Sequence, residues 1–124
     1  MLYAIFCYQD ENITGSWTRE QDDAVLGKLA VVQQKLSKEG RLGPVARLLP
    51  TTTATTLRKD HDPPLVLDGP FAETKEQLLG FYIVNCGSLD EALDIARDLG
   101  RANPYGSYEI RPIATFHDGK VSSG

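Results

Sequence analysis

Two groups of residues in this 124-residue chain combine reactive types with a spacing that brings them together. The first is the run Asp68-Gly-Pro-Phe-Ala-Glu-Thr-Lys-Glu76, which sets Asp68, Glu73, Lys75 and Glu76 beside the apolar run Gly80 to Cys86. On an open loop such charges contribute about 0–1 kcal/mol per pair. At the rim of an apolar cleft the same groups become proton carriers near neutral pH, because burial raises a carboxylate pKa and lowers that of an amine. Asp68 also has a structural use: it opens an Asp-Gly-Pro-Phe turn, where its side chain can accept backbone N–H bonds and Gly69 can take a positive φ. Both uses remain open. Pro70 and Phe71 stiffen that turn and anchor it. The second group is Glu109 and Arg111, which strand alternation puts on one face, where Arg111 can pair with Glu109, Asp68 or Glu76 or hold an anion.

The other reactive types carry less. His61 lies in Asp60-His61-Asp62 at a turn, and adjacent side chains in a turn rarely converge on a metal. His117 sits in a second turn near the end. Cys7 and Cys86 lie in separate apolar runs without metal-ligand spacing, and no cation adjoins either to activate a thiolate. They are expected near the ends of parallel neighbouring strands as inert thiols. Trp17, Tyr3, Tyr8, Tyr82 and Tyr108 can line a pocket or pack a core. No phosphate loop, nucleophile elbow or metal-binding helix occurs. Neither a metal nor a cofactor is expected.

These groups need elements to position them. Leu2 to Tyr8 is continuously apolar and too short for a buried helix, which predicts a central strand. After a loop from Gln9 to Trp17, Thr18 and Gln21 form a capping box, and Val25, Leu29, Val32 and Leu36 follow at helical spacing as far as Gly40. Leu42 to Leu49 reads as a strand with an irregular start at Gly43-Pro44. Thr53–Arg58 and Leu65–Leu67 flank the turn DHDPP as an added hairpin. Gly80 to Cys86 is another strand, and Ser88 with Glu91 caps a second helix that carries Leu89, Leu93, Ala96 and Leu99 up to Gly100. Ser107 to Ile113 closes the pattern as a strand with one polar face.

This order predicts an α+β fold of the ferredoxin-like split βαβ type, an antiparallel sheet with two helices on one face plus the hairpin. The strands from Leu2 and Gly80 are apolar on both faces, yet helices cover only one. A second copy of the chain is expected on the other, giving a homodimeric α+β barrel. One domain over residues 1–115 and a frayed tail at 116–124 account for the chain. Apolar residues at 41% and charged residues at 24% suit a folded domain. A net charge of −4 without a basic stripe argues against nucleic acid. The N-terminus has neither a positive n-region nor a membrane-length apolar run, so no membrane association and a cytoplasmic location are expected.

The run LDGPFAETKEQLLGFYIVNC, with TATTLR before it and SLDEAL and YEIRPI after it, resembles the DGPF branch of the bacterial YCII-related proteins over Leu2 to about Ile113. The resemblance implies the dimeric α+β barrel. It also implies a regulatory context, since the genes of that branch often sit beside those of extracytoplasmic-function sigma factors, and a few relatives are lyases on small ring compounds. The histidine that the shorter YCII branch carries on its first helix has no counterpart between Arg19 and Glu39. Two functions follow as expectations. One is a small-molecule-binding barrel, with a cleft between sheet and hairpin for an anionic or aromatic ligand. In it Asp68, Lys75 and Glu76 would be the catalytic groups of a cofactor-independent lyase or isomerase, and Arg111, Glu109, Phe71 and Tyr82 would bind the substrate. The other is a non-catalytic regulatory or interaction protein linked to a sigma factor.

Overall fold

The computed structural model describes residues 1–119. Its elements are β1 (Leu2–Gln9), α1 (Glu11–Gly15), α2 (Arg19–Lys38), β2 (Leu42–Arg47), β3 (Thr55–Arg58), β4 (Leu65–Asp68), β5 (Gln77–Asn85), α3 (Leu89–Ala102) and β6 (Ser107–Pro112), with a single 3-10 turn at Thr51–Thr53. Strands β2, β5, β1 and β6 form one antiparallel sheet in that order, and β3 pairs with β4 as a separate hairpin. This is the expected ferredoxin-like α+β plan. Of the tail at 116–124, residues 116–119 hold no regular element, and 120–124 lie outside the described residues.

Local chemistry explains where the helices begin and end. At α2 the Thr18 hydroxyl accepts from the Gln21 N–H at 3.1 Å while the Gln21 side chain accepts from the Thr18 N–H at 2.9 Å, so the capping box is complete. The N–H groups of Gly40 and Arg41 return to the carbonyls of Ser37 and Leu36, closing its other end. At α3 the Ser88 hydroxyl accepts from the Glu91 N–H, but the Glu91 carboxylate reaches past Ser88 to the Gly87 N–H at 2.8 Å. The helix does not stop at Gly100. It continues to Ala102, because Ala96, Leu99 and Ala102 stay on the buried stripe.

Register divides the sheet into two faces. Cross-strand partners Tyr3–Val84, Ile5–Tyr82 and Ile5–Ile110 point to the helices, where they meet Leu29 and Leu36 of α2 and Ile95 and Leu99 of α3. Ile5, Val84 and Leu99 are fully buried there, each worth about 1.5–3 kcal/mol of transfer free energy. The other face carries Leu2, Ala4, Phe6, Phe81 and Ile83, with Glu109 and Arg111 at its β6 edge.

The hairpin runs β3 to β4 through the expected turn at residues 59–64, and the Asp-Gly-Pro-Phe turn follows β4. Gly69 has φ 98°, its N–H donates to the Ala54 carbonyl at 2.7 Å, and its own carbonyl accepts from the Thr56 hydroxyl at 2.8 Å. Among the described residues the Asp68 carboxylate accepts no hydrogen bond, so backbone and threonine groups close the turn in its place. The loop from Gln9 to Trp17 is also more regular than expected. Asp10 caps α1 by accepting from the Asn12 N–H, and Glu11 ties α1 to the 3-10 turn by accepting from the Thr51 N–H at 2.8 Å and hydroxyl at 2.6 Å.

One neighbour relation is overturned. β1 and β5 are antiparallel, not parallel, so Cys7 faces Gly80 whereas the N–H of Cys86 bonds Met1 at the opposite end. At roughly 3.4 Å per residue the two thiols stand on the order of 20 Å apart, beyond any disulfide.

Candidate ligand-binding site

Glycine at position 80 opens a space in the core. β2 runs so close to β5 there that a Cβ on Gly80 would collide with the Ala46 carbonyl. The cross-strand pair Cys7–Gly80 therefore offers the helices one thiol and no other side chain, whereas the next pairs along, Ile5–Tyr82 and Tyr3–Val84, fill their level. A cavity of about 150 Å³ results between the sheet and α2. That volume admits a molecule of roughly benzene size.

Several elements supply its polar groups. Tyr82 of β5 and Tyr108 of β6 bring phenols, Gln9 of β1 an amide, α2 contributes Asp22 and Gln33, and Asn103 follows α3. Trp17 and Tyr105 meet edge to face at the rim, with ring centroids 5.4 Å apart. Gly106 holds the loop bearing Asn103 and Tyr105 against β1: it has φ 79°, and a Cβ there would strike the Tyr8 carbonyl. At the mouth the Arg47 guanidinium meets the Asp22 carboxylate at 3.1 Å.

The interior is electrically neutral. Burial pushes the Cys7 thiol up to about 12. Burial also raises the Tyr82 phenol, with Cys7 adding to the rise and the Gln33 side chain pulling the other way by a hydrogen bond. Tyr108 rises well above the ordinary tyrosine range, through burial first and then through Cys7 and Tyr82. All three groups keep their protons at neutral pH and act as donors. Two buried amide atoms stand unpaired: Gln9 Nε2, in a residue only 4% exposed, and Asn103 Oδ1. Buried polar atoms without partners are uncommon and call for a reason.

Of the seven residues expected to be catalytic or substrate-binding, the cavity takes in Tyr82, and of the other aromatic residues expected to line a pocket or pack a core it takes in Trp17, Tyr8 and Tyr108. Asp68 and Lys75 are exposed, Glu76 is half-buried, and Phe71, in the segment after β4, is 75% exposed. Glu109 and Arg111 share the open sheet face as alternation predicts, opposite Phe6 and Ala4, but neither forms an ion pair among the described residues. Within one protomer these charged residues are not gathered into a site. The cleft lies between sheet and helices, not between sheet and hairpin. Among the described residues no group of His, Cys, Asp or Glu is arranged to hold a metal, and His61 contacts only its neighbour Asp60, at 3.0 Å.

Residues 1–117 match the YCII-related domain. The chain belongs to the YCII-related family. It is also 58% identical to an uncharacterized protein of Rhizobium meliloti (strain 1021), a match that covers 99% of this chain and 100% of the relative. Among the described residues of this YCII-related protein no helix is long and apolar enough to cross a membrane.

Gln9, Asp22, Gln33 and Asn103 escaped the sequence reading. Each is a lone polar residue on a different segment, and no spacing links them. The one available signal was Gln9 itself, a polar residue two positions beyond Cys7 on the strand face that points into the core.

Proposed function

We propose that this YCII-related protein is a homodimeric α+β barrel that binds a small molecule in the cavity between α2 and the sheet. The observation that carries this is the cavity of about 150 Å³ itself, lined by Tyr82 and Tyr108 with Gln9, Gln33 and Asn103 among its few polar residues. A few precisely placed polar groups in an otherwise apolar concavity are what small-molecule sites present. The homodimer follows from the open sheet face, where Leu2, Phe6 and Phe81 are only half covered and no helix packs.

The chemistry this lining supports is cofactor-independent proton transfer of the lyase or isomerase type. Asp22 is the sole carboxylate lining the cavity among the described residues, Arg47 orients it, and the Tyr82 and Tyr108 hydroxyls supply donors. Asp68, Lys75 and Glu76 take part in such chemistry only where the second protomer encloses them.

A second reading rests on the hairpin. Leu57, Val66, Leu67 and Phe71 are all exposed there, an apolar surface suited to docking another protein, such as the sigma factor of the regulatory alternative. Thermal unfolding against a metabolite library separates the two. The ligand reading expects a saturable rise in Tm, since a compound at a hundred times its Kd adds about 2.7 kcal/mol. A library without any effect, together with retention of a sigma factor by the intact protein, supports the docking alternative.

A further inference from the structure

The β3–β4 hairpin stands apart from the main sheet and is apolar on both of its faces. Its register sets Leu57 opposite Val66, so these two share one face with Asp68, while Leu65 and Leu67 take the other. Every residue of β4 is exposed, and Leu57 and Val66 are the most open of the four leucines and valine named here bar none, at 57% and 68%. A two-stranded hairpin alone in water is marginally stable and needs a further strand or a packed surface to hold it. The protomer leaves the Leu57–Val66 face largely uncovered. The open sheet face has the converse shortage. Ala4 and Ile83 are already buried there and Leu2, Phe6 and Phe81 are half-covered, which is little apolar area against the roughly 800 Å² per partner that a stable interface buries. The hairpin holds the apolar surface such an interface still needs, and a two-fold arrangement covers hairpin and sheet face in both copies at once. A barrel made of two such sheets must also join their free edges, β2 and β6. Residues 48–54 lead straight from β2 into the hairpin, so it starts from one of those junctions.

We infer that the β3–β4 hairpin is a dimer arm whose Leu57–Val66 face packs on the open sheet face of a second copy of this chain. This rests on the homodimer proposed above, and it assigns to that second copy the surface that the regulatory alternative gives to a sigma factor. It also carries Asp68 into the interface, where Arg111, which forms no ion pair among the described residues of its own protomer, is an available counter-charge. Sedimentation equilibrium of the full chain, wild type against Leu57→Lys/Val66→Glu, provides the test. The double variant exchanges the apolar pair for opposite charges directly across the strands, which keeps the hairpin and makes its docking face polar. A dimer dissociation constant raised at least about tenfold is expected. Intermolecular NOEs in mixed dimers of isotope-labelled and unlabelled wild type give a second measurement that needs no substitution. The Leu57 and Val66 methyls of one copy are expected against the Phe6 or Phe81 ring of the other. A wild type that stays monomeric at micromolar concentration removes the homodimer, and the arm with it. A wild-type dimer whose dissociation constant is unchanged in the variant overturns the arm and leaves the homodimer standing, as do NOEs that join Leu57 and Val66 only to their own chain. Retention of a sigma factor by wild type, lost in the variant at unchanged dimer affinity, gives the surface to the docking alternative instead.

Discussion

The guanidinium of Arg47 on edge strand β2 grips the carboxylate of Asp22 in the first turn of α2 at 3.1 Å, joining helix and sheet across the mouth of the cavity. The Arg47 side chain is 62% exposed and that of Asp22 32% exposed. Solvent screening therefore limits the pair to a small energetic role. Asp22→Asn is expected to cost no more than about 1 kcal/mol, with a difference from wild type that shrinks in 1 M salt. Urea unfolding at low and high salt checks this. A large loss of any turnover in a variant so little destabilised assigns Asp22 to the chemistry, whereas a loss of several kcal/mol assigns it to the fold.

Stability is expected to fall with pH above about 9. The unfolded chain releases the Cys7 proton near its ordinary value of 9.0, while the folded protein holds it up to about 12. Between those values the unfolded state binds fewer protons than the native state, so unfolding becomes easier as pH rises; below about 9 the contribution is constant. The raised phenols of Tyr82 and Tyr108 act in the same direction at higher pH. Denaturant midpoints at pH 8, 9.5 and 11 should decline steadily, and more shallowly in Cys7→Ala. The same protonated thiol should resist iodoacetamide at pH 8 until the protein is unfolded.

Removing an unpaired buried donor stabilises a fold. Gln9→Met keeps chain length and apolar volume while deleting Nε2, and an unsatisfied buried group costs about 1–3 kcal/mol. A rise in urea midpoint of that order at constant m-value is the expected result. A fall shows that Gln9 serves packing and not a ligand.

The open sheet face supplies a test of the dimer. Phe6 lies there directly opposite Glu109 on β6. Phe6→Lys gives the protomer a favourable cross-strand charge pair while placing a cation in the apolar interface, so the fold survives and association does not. Sedimentation at micromolar concentration is expected to give a dimer for wild type and a monomer for the variant. A monomeric wild type contradicts the barrel.

The fold was more legible than the site, for physical reasons. Helix caps are local chemistry, so Thr18 and Gln21 declare α2 from four residues, and apolar runs as dense as Leu2 to Tyr8 admit only a central strand. Helix α1, five residues held by Asp10 and by Glu11 contacts to Thr51, has no periodicity to read. Gly100 looked like a helix end because glycine usually is one, but tertiary burial of Ala102 carried α3 past it. In the site, Trp17, Tyr8, Tyr82 and Tyr108 were visible as aromatic residues able to line a pocket or pack a core. The Asp68 to Glu76 charges drew attention by density along the chain, and density in sequence says nothing of burial. In sequence Asp22 is one of the acids of a helix's first turn, and its meeting with Arg47, 25 residues away, depends on how α2 lies over β2.

Soaking crystals of the protein in a mixture of small fragments tests the central claim most directly, because it shows where molecules bind without prior choice of ligand. Ordered fragments are expected in the cavity bounded by Gln9, Gln33, Tyr82 and Tyr108. Fragments ordered only along Asp68 to Glu76 or beside Arg111, with the space under α2 left without a guest, contradict it.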